Sequence, residues 1–101
     1  MSNHQRHSHE ALCHKLLSEA TDRLEQLRST VERGDTDGRL DLERALDAAR
    51  GLRNRALARV EAARQASDDA WTFACAQADQ AIDELLQAIN DLEHRLARAA
   101  A

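Results

Sequence analysis

"ASDDAWTFACAQADQAIDELL", residues 66–86, carries the only Trp, the only Phe and one of the two Cys of this 101-residue chain. Trp71, Cys75, Ala78, Ile82 and Leu85 follow one another at spacings of 4, 3, 4 and 3, and Ile89, Leu92 and Leu96 extend the row. Apolar residues recurring twice in seven positions make a helix with a narrow seam that must be buried against other helices. The aromatic mass therefore marks the first large knob of a core-packing helix, not a catalytic pocket. Ser67 is placed to cap that helix, and Asp68 and Asp69 sit where negative charge favours the positive end of its dipole. Phe73 lies off the seam, placed to meet a second partner helix.

Two more seams precede this one. Cys13, Leu17, Ala20, Leu24, Leu27 and Val31 are spaced 4, 3, 4, 3, 4, with Leu12 and Leu16 widening the stripe. Leu42, Leu46, Ala49, Ala56, Val60 and Ala63 form the second, and Arg53 stands at one of its apolar sites. Between them lies Gly-Asp-Thr-Asp-Gly, residues 34–38, the strongest break signal in the chain. Gly34 suits a helix C-cap, and Thr36 or Asp37 would cap the next helix. From Ala63 to Cys75 the spacing becomes 4, 4, 4, marking either a phase shift in one long helix or a turn near Ser67.

These patterns predict an all-α fold, an antiparallel three-helix bundle or coiled coil with helices over about 9–33, 39–66 and 68–98. Residues 1–8 read as a disordered, His-rich tail before a single helical domain, 9–101. The alternative is a long helical hairpin that oligomerises. The two differ over the thiols: the bundle puts Cys13 and Cys75 near one end, whereas the hairpin sets Cys13 opposite residues near 59.

Composition agrees. There are twenty Ala, fourteen Leu, three Gly and no Pro, and helix formers dominate. A core of Leu and Ala is thin, because Ala buries little area, so a homo-oligomer is expected. The net charge of −4 points away from free nucleic acid. No apolar run approaches the roughly 20 residues needed to span a membrane, and the N-terminus has no secretory pattern. A cytoplasmic location with reduced thiols is expected by default. Residues 50–64 carry five Arg and one Glu, and residues 68–98 carry seven acids and two Arg. Opposite charge on neighbouring elements favours their pairing.

At Ala66-Ser67-Asp68-Asp69-Ala70-Trp71 the chain resembles a family of small bacterial coiled-coil proteins labelled stress-response proteins. Their usual pattern is Ala-Ser-Gly-Asp-Ala-Trp, followed by a helix bearing Ala-Trp-x-x-Leu. Here Ala81-Ile82-Asp83-Glu84-Leu85 matches the second element. Asp68 replaces the usual Gly, and Ile82 replaces the second Trp. The likeness covers about residues 17 to 92, and only its Ser-to-Trp core is distinctive. It implies a helical, non-enzymatic protein with a role in stress tolerance and no catalytic residues to carry over. It also implies helix-friendly sequence where this chain has residues 34–38.

The candidate chemistry lies near the N-terminus, at His4, His7, His9, Cys13 and His14. His9 and Cys13 are four apart and share a helical face, as do Glu10 and His14. Imidazole and thiolate suit Zn, Ni or Cu, which makes His9, Cys13 and His14 a candidate metal site; the alternative is a solvated tail with no cofactor. Cys13 and Cys75 form a candidate redox pair if their Cα atoms come within about 7 Å; the alternative is two small buried thiols. Arg50, Arg53, Arg55, Arg59 and Arg64 spread around their helix and lack an aromatic platform for nucleic acid. Asp83 and Glu84 read as a solvated face, Ser29 and Ser67 lack a neighbouring His, and His94 is remote. The expectation is a non-enzymatic structural or interaction protein whose partner is itself. A metal-binding module and a thiol redox switch are the alternatives.

Overall fold

In a computed structural model, which describes residues 3–34 and 38–100, the chain forms three helices: α1 Asn3–Arg33, α2 Arg39–Gln65 and α3 Asp68–Ala100. They build an up-down-up bundle measuring 52 × 18 × 16 Å. A helix of about 30 residues rises roughly 45 Å, so each one runs nearly the full length of the rod.

Side chains fix the direction of α1 against α3. Arg6 pairs with Asp68 at 3.0 Å, and Arg23 pairs with Glu93 and Asn90. Residues early in α1 meet residues early in α3, and later ones meet later ones, so the two helices run parallel. This parallel pairing rules out the single long hairpin. The turn near Ser67 is real. Ala66 is extended, at φ −65° and ψ 145°, and the Ala70 amide donates to the Ser67 carbonyl.

The seams become the core. All six seam residues of α1 and all six of α2 are buried. In α3 Cys75, Ala78, Ile82, Leu85, Ile89 and Leu92 are buried, joined by Ala81, which the heptad reading left out. Leu96 packs against this core from its edge. Expected contributors fall short in three places. Trp71 is only half-buried, Leu12 faces solvent, and Phe73 is exposed instead of meeting a second helix of the bundle.

Two boundaries differ from expectation. Helix α1 begins at Asn3, so residues 3–8 are helical where a disordered tail was expected. Contacts with α3, Arg6 to Asp68 and Arg6 over the Trp71 ring, hold these first two turns. The N-cap of α2 is Gly38, with no side-chain cap, instead of Thr36 or Asp37, which lie outside the described residues. Gly38 has φ +84°, a left-handed conformation that an L side chain resists. At the end of α1 the Gly34 amide donates to the Thr30 carbonyl.

The expected charge complementarity of α2 and α3 is sparse. Arg55 reaches Glu84 at 3.6 Å and Arg59 donates to Gln77. Arg50 and Arg64 pair within their own helix, with Asp47 and Glu61.

Candidate functional site

The chemistry of the chain converges at the end of the rod that holds the starts of α1 and α3. Helix periodicity brings it there. His9 and Cys13 are one turn apart on the inner face of α1, and Cys75 and Asp79 are one turn apart on the facing side of α3. Because the two helices are parallel, the pairs meet. His9 Nε2 lies 2.9 Å from Asp79 Oδ1. Cys13 Sγ lies 3.6 Å from His9 Nε2 and 3.7 Å from Nδ1, and Cys75 Sγ lies 3.6 Å from Nδ1. The imidazole thus contacts both thiols and a carboxylate: both sulfurs approach Nδ1, and Cys13 and Asp79 approach Nε2.

The hydrogen bonds set the tautomer. A carboxylate only accepts, so Nε2–H is the donor to Asp79, and in the neutral ring that leaves the Nδ1 lone pair to accept from a thiol. Cys13 is 1% exposed and Cys75 8%, and both thiols are free. Burial first, then the Asp79 carboxylate and the Cys75 sulfur, push the Cys13 thiol up to about 11. Burial and Asp79 also raise the Cys75 thiol, against a smaller opposing pull from Arg6. A thiol held protonated is a slow nucleophile.

Trp71 closes the cluster. Its ring meets His9 edge-on, with centroids 5.9 Å apart and planes at 77°, and the Arg6 guanidinium lies 5.6 Å from its centroid. Arg6 then reaches Asp68. Beside Trp71 a depression of about 240 Å³ is bordered by Arg6, His7, His9, Val60, Ala63 and Arg64 among others.

Two of the three expected metal-site residues, His9 and Cys13, come together. His14 does not join them. Its side chain is 65% exposed and reaches Glu10 at 3.6 Å, because one residue beyond Cys13 the helix has turned about 100° away. Asp79 takes the place expected of His14: His9, Cys13 and Asp79 offer ligand atoms within 4.8 Å of one another. Linear spacing carries no signal for Asp79; only the parallel register of α1 and α3 brings it in. The candidate redox pair, Cys13 and Cys75, does share one neighbourhood, since both sulfurs contact His9.

Compared with family models, with curated proteins and with solved structures, the chain gives no match. Among the described residues no helix is long and apolar enough to cross a membrane.

Proposed function

We propose that this protein works by binding through its helical faces instead of by catalysis, and that its first partner is a second copy of itself. Phe73 carries this reading. The chain's one Phe is 69% exposed and lies two residues from both Trp71 and Cys75, on the opposite face of α3. Leu12 and Leu57 are also exposed, in the same half of the rod. A large aromatic left in water is unspent burial, worth about 1.5–3 kcal/mol per side chain when covered.

The core supplies the second argument. Eight of the nineteen buried apolar residues among those described are Ala or Cys, so packing within one chain gains less than a Leu-rich core would. Association would recover the difference. The absence of turnover is supported by the thiols, which are the strongest candidate nucleophiles and are sealed inside. The resemblance at Ala66–Trp71 supports a role in stress tolerance as part of the same proposal.

Sedimentation equilibrium tests the reading. The intact chain at micromolar concentration is expected to be dimeric or larger, and Phe73→Glu is expected to move it to monomer with its helicity unchanged. A wild-type chain that stays monomeric at several hundred micromolar would overturn self-association and leave the exposed face to a different protein.

A further inference from the structure

His9-x-x-x-Cys13 on α1 and Cys75-x-x-x-Asp79 on α3 are two one-turn pairs facing each other across parallel helices. We propose that this end of the bundle is a transition-metal site, in which His9 Nε2, Cys13 Sγ and Asp79 Oδ1 hold one Zn(II)-class ion between α1 and α3. The proposal is independent of self-association.

Geometry comes first. Zn–N and Zn–O bonds of about 2.0–2.1 Å and Zn–S bonds of about 2.3 Å put neighbouring ligand atoms of a tetrahedral site about 3.3–3.6 Å apart. Nε2 to Cys13 Sγ is 3.6 Å, and Nε2 to Asp79 Oδ1 is 2.9 Å. All three ligand atoms fall within 4.8 Å of one another. The set needs movements of tenths of an ångström to an ångström, within the reach of an Asp79 side chain that is 60% exposed. The ligands also come from two helices, so the ion would fasten α1 to α3 where the bundle starts.

Donor chemistry selects the ion. One imidazole, one thiolate and one carboxylate suit Zn(II), Co(II) or Ni(II), whereas Mg(II) and Ca(II) prefer all-oxygen sets. Three protein ligands leave a fourth position for water. Binding replaces the Cys13 thiol proton, which leaves to solvent. With Nε2 on the ion, the neutral His9 ring carries its proton on Nδ1, which faces the Cys75 sulfur 3.6 Å away. Cys75 is then a positioning residue that fixes the ring through its other nitrogen, the part outer partners play at metal-bound histidines. Trp71, packed edge-on to His9, is a built-in reporter, because it is the only Trp.

The test uses chelator-stripped full-length protein titrated with Zn(II) and with Co(II). The expected result is one ion per chain, a change in Trp71 emission, and a Co(II) spectrum with thiolate charge-transfer and tetrahedral d–d bands. His9→Gln and Asp79→Asn, which stand at the partly exposed edge and leave the core intact, should each weaken binding at least tenfold. Cys13→Ser should abolish the charge-transfer band, and Cys75→Ser should keep the band while weakening binding less than Asp79→Asn does. His4→Ala, His7→Ala and His14→Ala should leave affinity within twofold. A folded protein with no charge-transfer band would overturn the proposal. So would binding lost on removing His4, His7 or His14 but kept in His9→Gln and Asp79→Asn, which would reduce the effect to a His-rich surface. A band lost in Cys75→Ser and kept in Cys13→Ser would overturn the ligand assignment.

Discussion

Single residues in α2 show how local rules and tertiary demands part company. Gly51 sits mid-helix, and a Cβ added there would meet nothing within 4 Å. Gly51→Ala should therefore raise stability by about 1 kcal/mol, the helix-propensity difference, readable as a higher urea midpoint. Gly38 has equally open surroundings but a φ of +84°, so Gly38→Ala should lower stability by about 1–2 kcal/mol. Arg53 holds the apolar seam site between Ala49 and Ala56, and its Nε is buried with no hydrogen-bond partner. An unsatisfied buried donor costs about 1–3 kcal/mol. Arg53→Leu should thus stabilise the fold by about 1 kcal/mol or more in chemical denaturation; a lower midpoint would mean that Arg53 is paired in solution. The seam interruption was legible in the sequence as a polar residue out of place. Asp79 was not, because its partner His9 lies seventy residues away and only the register of two helices joins them.

At the scale of elements, the heptads predicted the cores of all three helices and missed one end. Apolar spacing reports burial, so it located Cys13 to Val31, Leu42 to Ala63 and Cys75 to Leu92, each buried as expected. It is silent where a helix is held by polar contacts, and residues 3–8 have no apolar row. Their helix is fixed by Arg6 against Asp68 and Trp71, contacts that no local pattern encodes. Further along, Arg23 donates to Glu93 through Nε and a terminal nitrogen, a two-point grip between α1 and α3. That hydrogen bonding, then the charge of Arg23, holds the Glu93 carboxyl below its ordinary value. A depressed folded-state pKa means stability that is present above the unfolded carboxyl value, near 4.3, and lost as pH falls through the folded one. The pair is about two-fifths exposed at Glu93, so the effect is small and screened by salt. Acid titration of the unfolding midpoint should show a downward step below pH about 4.3, and Glu93→Gln should flatten it. An unchanged profile in Glu93→Gln would show that the grip contributes nothing in water.

For the whole molecule, the two-residue turn at Ala66 and Ser67 and the parallel grip of α1 on α3 make one continuous core from Cys13 to Leu92. Such a rod should unfold as one unit, and its thiol end should be neither a separate domain nor a loose tail. Deleting residues 1–8 tests this directly. A disordered tail would leave stability and fluorescence untouched. In the bundle the deletion removes Arg6 from both Asp68 and the Trp71 ring, strips one wall from the depression beside Trp71 and frees the helix end that carries His9. An exposed ion pair contributes about 0–1 kcal/mol and a cation–π contact about 0.5–1 kcal/mol. The truncated chain should therefore lose roughly 1 kcal/mol. Trp71 emission should move to the red while ellipticity per residue barely changes, since α2, α3 and most of α1 keep their buried seams. The two probes should still report one midpoint, lowered together. If the Trp71 signal instead melted before the helical signal in the intact protein, the thiol end would be unfolding independently of the seams behind it.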